Sequence, residues 1–550
     1  MANGEAASKL EVITPEAEAN VESVAPVTAV ESAHVTHKWL VALAVMLGTT
    51  LEVLDTSIVN VALPHMQGTF SASVDEIAWV VTSYLVANGI MLPMTAWISS
   101  RFGRKRYFLI SVFTFVSASV LCGAAQSLSQ MLLFRLIQGA SGAAMIPSSQ
   151  AILMETFPPE EQQMAMAIWG MGLMVAPILG PTLGGWITEE WNWRWNFYIN
   201  VPIGAMALVM VSAFVHDPGY MRTRRAETRQ IDYLGIILLV LSLGTMQVVL
   251  DRGQRADWFE SSWVVWATIL SVVAFVGLVI RELRFKDPIL ELHVLGLRIF
   301  DGALSITIIF SFVLFGSILI NPIFLQELMG YNAWRAGLVQ APRGLGSMMG
   351  MMVVGNMARF GIDTTRFIGV GFTLITIGCW FSSRLSLQAD TWAIVWPLII
   401  MGFGFGMIFP PSSAAALSCV PPEKMGNAAS LYNMMRNTGA AVGIAWMTSK
   451  LVSQQQVHQA RLTEHFSIFE AWRFGKLPAP APGVPPMGYL PQIISGQKQG
   501  FGMVYGAVQA QAAMLSFNDI YLVLAVMTFV MIPSFLLLRG SRPMRGGVGH

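Results

Sequence analysis

The stretch 39–63 reads WLVALAVMLGTTLEVLDTSIVNVAL, and its charged residues are Glu52 and Asp55. The hydrocarbon core of a bilayer is about 30 Å thick, so a membrane-spanning helix needs about 20 mainly apolar residues. A carboxylate at that depth costs about 2.5–3.5 kcal/mol even on the lenient insertion scale, and it must face a partner or a water-filled cavity. The stretch therefore predicts a membrane helix with two sheltered acidic side chains.

The rest of the chain has the same character. It has 550 residues, of which 54% are hydrophobic and only 12% are charged, whereas soluble domains carry about 25% charged residues. The net charge of +1 gives no reason to expect a nucleic-acid partner. Further apolar runs predict spans at 77–98, 107–126, 130–153, 163–186, 197–215, 232–250, 260–281, 299–326, 334–358, 366–384, 391–417, 426–450 and 519–538.

Basic residues set the orientation of these fourteen predicted spans. Short loops rich in Lys and Arg stay in the cytoplasm, and here they follow spans two, six, eight and fourteen. Both termini are therefore expected in the cytoplasm, in a cell inner membrane that the chain crosses many times. The sequence predicts an all-α integral membrane protein.

The chain also repeats itself. FPPEEQQMAMA at 157–167 recurs as VPPEKMGNAAS at 420–430, an offset of 263 residues, and two shorter matches have offsets of 258 and 264. Similar offsets in one order indicate a parallel duplication of two six-helix halves, with spans seven and eight inserted between them. The predicted domains are a disordered tail (1–36), an N-terminal bundle (37–216), the inserted pair (217–290), a C-terminal bundle (291–538) and a tail (539–550).

The predicted outer loop 451–518 is much longer than the others. Its first part, SKLVSQQQVHQARLTEHF at 449–466, can prolong span thirteen as a polar helix, and its second part is rich in Pro and Gly. Loops of this length are either functional or disordered. A docking surface and a plain mobile loop are both open.

Asp55 and Arg135 are the predicted proton-coupling pair, with Glu52 as a further candidate. Spans one and four run in opposite directions and carry Asp55 and Arg135 at similar depths, so that pairing is feasible. Desolvation favours the protonated carboxyl, and a nearby guanidinium favours the ionised one. A carboxylate that gains and loses an Arg contact can therefore exchange a proton. The alternative is a static pair that fixes helix packing.

Two further groups have predicted conformational roles. Small and Pro residues in span five permit close helix approach and kinking, and suit a gate. A basic loop after span two is either a topological anchor or a charge latch. The gate candidates are Pro177, Gly180, Pro181, Gly184 and Gly185, and the latch candidates are Arg101, Gly103, Arg104, Lys105 and Arg106.

Polar residues elsewhere in the spans are candidates for the substrate cavity. Gln326 and Glu327 are predicted partners of Arg343, and Asn433, Arg436 and Asn437 share one helix face. The 34 Met residues permit a pocket that accepts many apolar shapes. No ATP-binding loop or metal-ligand spacing is present, and the three Cys residues suit buried packing. The full set of cavity candidates is Asn60, Gln138, Met145, Gln326, Glu327, Arg343, Asn433, Arg436 and Asn437.

Four motifs together resemble the major facilitator superfamily, in its fourteen-helix drug:proton antiporter branch of EmrB/QacA type. They are LDTSIVNVALP (54–64), RFGRKR (101–106), RLIQGASGAAMIPSS (135–149) and APILGPTLGGWI (176–187). The resemblance implies a major facilitator fold arranged 6+2+6 and proton transfer at Arg135. It also implies a periplasmic adaptor (EmrA-like) and an outer-membrane channel as partners. The loop motif departs from the family pattern, which often has an Asp soon after its first Gly, so the acidic member of a latch is supplied from elsewhere or is absent.

The sequence thus predicts a transporter, not an enzyme: a proton-coupled antiporter that exports lipophilic or cationic drug-like compounds by alternating access. Protons are the coupling ion and no cofactor is expected. Two alternatives remain open, a proton-coupled symporter that imports a small solute and a membrane sensor without a transport cycle. The span-five motif favours export.

Overall fold

Each of the fourteen predicted apolar segments is helical, as one helix or as two consecutive helices, and the helices of spans thirteen and fourteen extend well beyond the predicted bounds. The computed structural model describes residues 37–217, 232–285, 288–360, 362–363, 365–421, 424–464 and 498–538. Its helices are α1 (Lys38–Phe70), α2 (Val74–Phe102), α3 (Arg104–Ala124), α4 (Leu128–Gly142), α5 (Met145–Thr156), α6 (Gln162–Glu190), α7 (Trp195–Tyr198), α8 (Asn200–Phe214), α9 (Tyr233–Arg252), α10 (Ser262–Arg284), α11 (Arg298–Ile323), α12 (Ala333–Arg359), α13 (Arg366–Ser382), α14 (Thr391–Ser418), α15 (Met425–Glu464) and α16 (Lys498–Val530).

Prolines account for two departures from the predicted spans. Span four is divided into α4 and α5, because Pro147 lacks an N–H and its ring crowds the carbonyl four residues earlier, at Ala143. Near the end of α11 stands Pro322, and the chain continues as a π-helix at Phe324–Leu328. A 3₁₀ helix at Ile532–Leu538 likewise completes span fourteen.

Length and composition identify the membrane helices independently of the motifs. Ten helices among the described residues are long and apolar enough to cross a bilayer, and α13 is a shorter apolar helix. The predicted tails 1–36 and 539–550 lie outside the described residues. The count of fourteen spans and the cytoplasmic position of both termini stay predictions.

The two halves use the same packing scheme. In the N-terminal half α1 packs on α6, α4 packs on α2 and α3, and α8 packs on α3. In the C-terminal half α11 packs on α15, α14 packs on α12 and α13, and α16 packs on α13. Helices α9 and α10 pack on each other, and only 17% of the apolar window of α10 is buried, so α10 is peripheral.

Four helix pairs make much of the contact between the halves. Helix α6 packs on α12 and α14, and α15 packs on α2 and α5. We call the side of the bundle on which α1 begins the inner side. Because α1 carries Asp55 and packs on α6, the candidate coupling residues lie one helix away from this interface.

The pair α15 and α16 extends further than a bilayer requires. Helix α15 has 40 residues and is therefore about 60 Å long, twice the hydrocarbon thickness. Its end, 451–464, confirms the predicted polar extension of span thirteen. Residues 498–518, predicted as loop, are instead helical, because their Ala, Gln and Met residues favour helix. The Pro-rich part of the loop lies outside the described residues.

Gly139 allows α4 to approach α2 so closely that a side chain cannot fit. A Cβ at this position would overlap the backbone carbonyl of Tyr84, whereas a Cβ at Gly89 in α2 would meet nothing within 4 Å. We expect Gly139→Ala to destabilise the protein by about 1–3 kcal/mol through overpacking. Gly89→Ala is the matched control and should be neutral or stabilising. Thermal unfolding in detergent measures both, and equal midpoints would contradict the close approach.

Candidate functional site

Asp55 is buried in α1 and is surrounded by hydrogen-bond donors. Its carboxylate accepts from Arg135 Nη1 at 2.6 Å and from the amides of Gln138 and Asn200 at 2.8 Å each. The side chain of Asp55 is 0% exposed and that of Arg135 is 1% exposed. The predicted pairing is therefore present, and it is direct. These donors compensate a charge that lipid could not solvate.

Arg135 is fixed on every side. Its Nε donates to the carbonyl of Val80 at 3.1 Å, its Nη1 also donates to Gln138 Oε1 at 2.8 Å, and its guanidinium lies 4.3 Å from the ring centre of Tyr84. Ser119 in α3 accepts from Gln138 and Asn200. The cluster thus joins α1, α2, α3, α4 and α8 around one carboxylate.

Glu52 lies one turn away and faces the other half of the molecule. One oxygen accepts from Asn88 Nδ2 at 3.0 Å, and the other has no hydrogen-bond partner among the described residues. Arg436 of α15, in the other half, is within electrostatic range of Glu52. Glu52 is 7% exposed and Arg436 is 5% exposed. A buried carboxylate and a buried guanidinium therefore approach each other across the interface.

Two hydrogen bonds between amide side chains also cross the interface between the halves. Asn437 donates to Asn88 Oδ1 at 3.5 Å, and Asn433 donates to Gln150 Oε1 at 2.5 Å. Both bonds join α15 to the N-terminal half. The predicted shared face of Asn433, Arg436 and Asn437 is thus a contact surface between the halves.

The basic loop contacts acidic residues that lie outside it in the sequence. Gly103 has a positive φ of 90°, which lets the chain turn from α2 into α3. Asp217, just after α8, accepts from the backbone N–H of Lys105 at 2.7 Å. Arg104 forms an ion pair with Glu155 at the end of α5. Asp217 and Glu155 thus supply acidic contacts from outside the loop, while Arg101 and Arg106 are exposed. The latch role stays a prediction.

The small residues of α6 lie against the helix that carries Asp55. A Cβ at Gly184 would lie 3.3 Å from Ile58 Cα, and one at Gly180 would overlap Ser57. Gly185 has more room, with Val61 at 3.8 Å. Pro177 and Pro181 lie within the same continuous helix, and the side chain of Pro181 is outside the described residues. The gating role stays a prediction.

One predicted contact is wrong. Arg343 does not bond Gln326 or Glu327, because the π-helix carries both of those side chains to exposed positions. Its Nη2 donates instead to Ser317 Oγ at 2.8 Å and to the Leu314 carbonyl at 3.3 Å.

The remaining candidates are scattered. Asn60 is exposed and bonds the Thr56 carbonyl within α1, and Met145 is fully buried.

The cysteines suit packing rather than reactivity. Cys122 and Cys379 are buried. Burial raises the pKa of Cys419, directly after α14, to about 11, so its thiol stays protonated. The described residues contain no group of His, Cys, Asp and Glu able to hold a metal.

Sequence reasoning missed several members of these clusters. They share one signal, a polar side chain inside an apolar run, which also costs free energy in lipid, although less than a carboxylate does. Applied to amides and hydroxyls as well as to charges, that criterion would have selected Ser119, Asn200, Asn88 and Gln150.

Comparison with known proteins now identifies the family. The Major Facilitator Superfamily model matches residues 45–444. Multidrug export protein EmrB of Escherichia coli (strain K12) is 34% identical over 486 residues, covering 88% of this chain and 91% of that protein. The chain belongs to the major facilitator superfamily, among its EmrB-type multidrug efflux permeases.

A further relative agrees with this assignment, and a solved structure has the same fold. Fatty acid resistance protein FarB of Neisseria gonorrhoeae is 32% identical over 514 residues, covering 93% of this chain and 97% of that protein. The crystal structure of the human organic anion transporter MFSD10 (TETRAN) has a TM-score of 0.56 at 15% identity, covering 89% of this chain and 99% of that one, which shows the shared fold. The protein is a multi-pass inner-membrane transporter of small molecules and not an enzyme.

The Asp55–Arg135 pair yields a stability prediction. Removing one member leaves the other buried and uncompensated, so Asp55→Asn and Arg135→Gln should each destabilise this permease by about 3–5 kcal/mol. The double variant leaves no unpaired charge and should cost much less than the sum. Unfolding of all four forms in detergent gives the coupling energy. Additive single effects would mean that the contact is energetically unimportant.

Proposed function

We propose that this efflux permease exchanges protons for its substrates, and that Asp55 carries the proton. The observation that supports this most is the direct contact of a fully buried carboxylate with the Arg135 guanidinium. While Asp55 is ionised, Arg135 and the two amides hold it. Protonation removes the charge of Asp55 and so weakens its attraction to Arg135. The guanidinium of Arg135 then needs other hydrogen-bond acceptors. The two protonation states therefore favour different helix arrangements.

The route from Asp55 to the other half is short. Glu52 lies three residues earlier on α1 and accepts from Asn88, and Asn88 in turn accepts from Asn437 of α15. A shift of α1 on protonation of Asp55 therefore strains a chain of hydrogen bonds that ends across the interface. The Glu52–Arg436 attraction acts along the same line. We assign Glu52 to transmission between the halves.

The inner side is closed in this arrangement. Gly426 at the start of α15 lies beside Arg104 and beside Ala96 of α2, and Asn433 is bonded to Gln150. Alternating access requires this contact to open when the cavity faces the cytoplasm.

A membrane potential of 100 mV contributes about 2.3 kcal/mol for each charge moved, which is enough to drive useful accumulation.

Lipophilic or cationic drug-like compounds are the proposed substrates. The many Met side chains provide adaptable apolar surface, and relatives are named for multidrug export, fatty acid resistance and colistin resistance. Those names cover compounds of different charge. Compounds of such different charge fit a cavity that accepts many shapes better than a cavity that is complementary to one substrate.

A periplasmic adaptor (EmrA-like) and an outer-membrane channel are the proposed partners. The support is the length of α15 and α16 beyond a bilayer. His458 and Asp519 lie 2.8 Å apart and Gln459 donates to Tyr505 at 3.3 Å, so the outer parts of the two helices are joined and form a defined surface.

Drug-triggered proton movement tests the coupling. In everted vesicles with a pH-sensitive dye, lipophilic cations should release protons with the wild type and fail to do so with Asp55→Asn, because the amide cannot be ionised. Asp75→Asn, at an exposed outer position, is the matched control and should behave as the wild type does. Equal responses from wild type and Asp55→Asn would remove Asp55 from the mechanism. Proton uptake together with solute would indicate a symporter, and no flux would indicate a sensor.

A disulfide across the inner side tests alternating access. A Cβ at Gly426 would lie 3.8 Å from Ala96 Cβ, which suits a disulfide. Oxidation of the Ala96→Cys/Gly426→Cys double variant should therefore stop transport, and reduction should restore it. Each single variant is a control and should be insensitive to oxidant. Transport that continues in the fully cross-linked protein would show that this contact need not open.

A further inference from the structure

Helix α9 of the inserted pair lies across a seam between the two halves. It packs on α2 of the N-terminal half and on α15 of the C-terminal half, and those two helices also pack on each other. The 3₁₀ turn Gln254–Ala256 that follows α9 contacts α15 as well. Helix α10 packs mainly on α9. The inserted pair therefore stands between the α2–α15 seam and the surrounding lipid.

The outer end of α9 is attached to the N-terminal half. Asp251 accepts a hydrogen bond from Thr82 of α2. Arg252 Nη1 donates to the Asp75 carbonyl at 3.2 Å, and the Arg252 guanidinium lies 4.7 Å from the ring centre of Trp79. In the part of the chain that the structure describes, no hydrogen bond or ion pair joins α9 to α15. At this end, α2 therefore holds the pair and α15 only packs against it.

The inner end of the pair is attached to the C-terminal half. The segment between α10 and α11 carries Glu291, which accepts from Lys424 Nζ and, at 2.8 Å, from Asn427 Nδ2. Lys424 directly precedes α15, and Asn427 lies in the first turn of that helix. The same segment is bound to α10, because Glu282 accepts from the backbone N–H of Leu290 at 3.3 Å. These contacts connect the inner end of α10 to the start of α15.

The two helices of the pair are also joined to each other. Ser271 Oγ of α10 donates to the Ser242 carbonyl of α9 at 2.8 Å. At the inner ends, Arg281 Nε donates at 3.0 Å to Asp232, whose carboxylate also accepts from the backbone N–H of Gly235 in the first turn of α9. The side chain of Asp232 is 1% exposed, so water screens this ion pair little. The pair is therefore expected to move as one body.

The pair thus spans the seam diagonally, from α2 on the outer side to α15 on the inner side. The proposed transport cycle separates these two helices on the inner side. The inner end of the pair then follows α15 while its outer end stays on α2, so the pair tilts and continues to bridge the gap. The α9–α2 contact can accommodate a tilt, because Gly244 of α9 faces the end of the Ile90 side chain and not the backbone of α2.

We propose that α9 and α10 form a strap that keeps the α2–α15 seam closed to lipid throughout the transport cycle. In the described part of the chain neither helix packs on α6 or α12, so the α6–α12 seam is left as the route by which lipophilic substrates reach the cavity from the membrane. That contact suits opening, because flexible Met side chains fill it: Met164 lies beside Gly355, and Met351 lies beside Gly170. The strap rests on the alternating access proposed above, but not on which residue carries the proton.

Photolabelling from the lipid phase tests the strap. A small lipophilic diazirine dissolved in proteoliposomes labels side chains that face lipid, and mass spectrometry of the full-length protein locates the label. In the wild type, Ile90 of α2 should stay unlabelled both at rest and during transport, whereas the exposed Val273 of α10 is labelled.

The inner attachment can be broken and restored. Glu291→Lys should raise the labelling of Ile90 several-fold, because the new charge repels Lys424. The double variant Glu291→Lys/Lys424→Glu allows an ion pair again and should return the labelling to the wild-type level, which a misfolded protein would not do. Glu160→Lys, at an exposed position on the inner side, is the matched control and should leave the labelling unchanged.

A photoreactive substrate tests the route of entry. In everted vesicles, a diazirine derivative of tetraphenylphosphonium should attach to the inner parts of α6 and α12, near Met164 and Gly355, and not to the inner parts of α2 and α15.

Three results would overturn the proposal: attachment of this substrate along α2 and α15, lipid-phase labelling of Ile90 equal to that of Val273 in the wild type, or labelling of Glu291→Lys that matches the wild type. Asp55→Asn should keep Ile90 covered, because no contact of the strap involves that carboxylate. A failure of proton coupling and a failure of the strap are therefore distinguishable results.

Discussion

The contact of Arg135 with Asp55 is the constraint on which the N-terminal half depends. Neither charge can remain alone at this depth, since lipid offers no solvation and the protein interior screens little. Each must therefore be brought to the other, and four further polar groups must be placed around them. Helices α1, α2, α3, α4 and α8 all contribute to that cluster. Their relative positions follow from the need to satisfy one carboxylate.

The sequence predicts the positions of the helices well and the side-chain contacts between them less well. Every apolar segment corresponds to a helix, because about 20 apolar residues have few alternatives in a bilayer. The Asp55–Arg135 pairing was accessible too, since depth can be counted along two helices of opposite direction. Asn200 and Ser119 were not found, because an amide or hydroxyl carries a weaker signal in composition than a charge does.

Arg343 illustrates why tertiary contacts resist prediction. Glu327 is the carboxylate nearest to Arg343 along the chain, yet the π-helix after Pro322 turns it to the surface. A single extra residue in one helical turn changes the direction of every side chain that follows. The position of Asp217 beside Gly103 depends likewise on how α8 ends against α3, which no local pattern encodes.

The glycine seam between α12 and α14 has a mechanical meaning. Gly402 and Gly406 face the backbone of Arg343 and Ser347 with no room for a Cβ, so these helices cannot slide past each other without collision. The C-terminal half is expected to move as a rigid body. Opening must then occur where side chains, rather than backbones, meet: along α6 with α12 and along α2 with α15. In the proposed transport cycle the α6–α12 seam would open as a lateral portal to the bilayer, through which an amphiphile already dissolved in the inner leaflet would enter without crossing water.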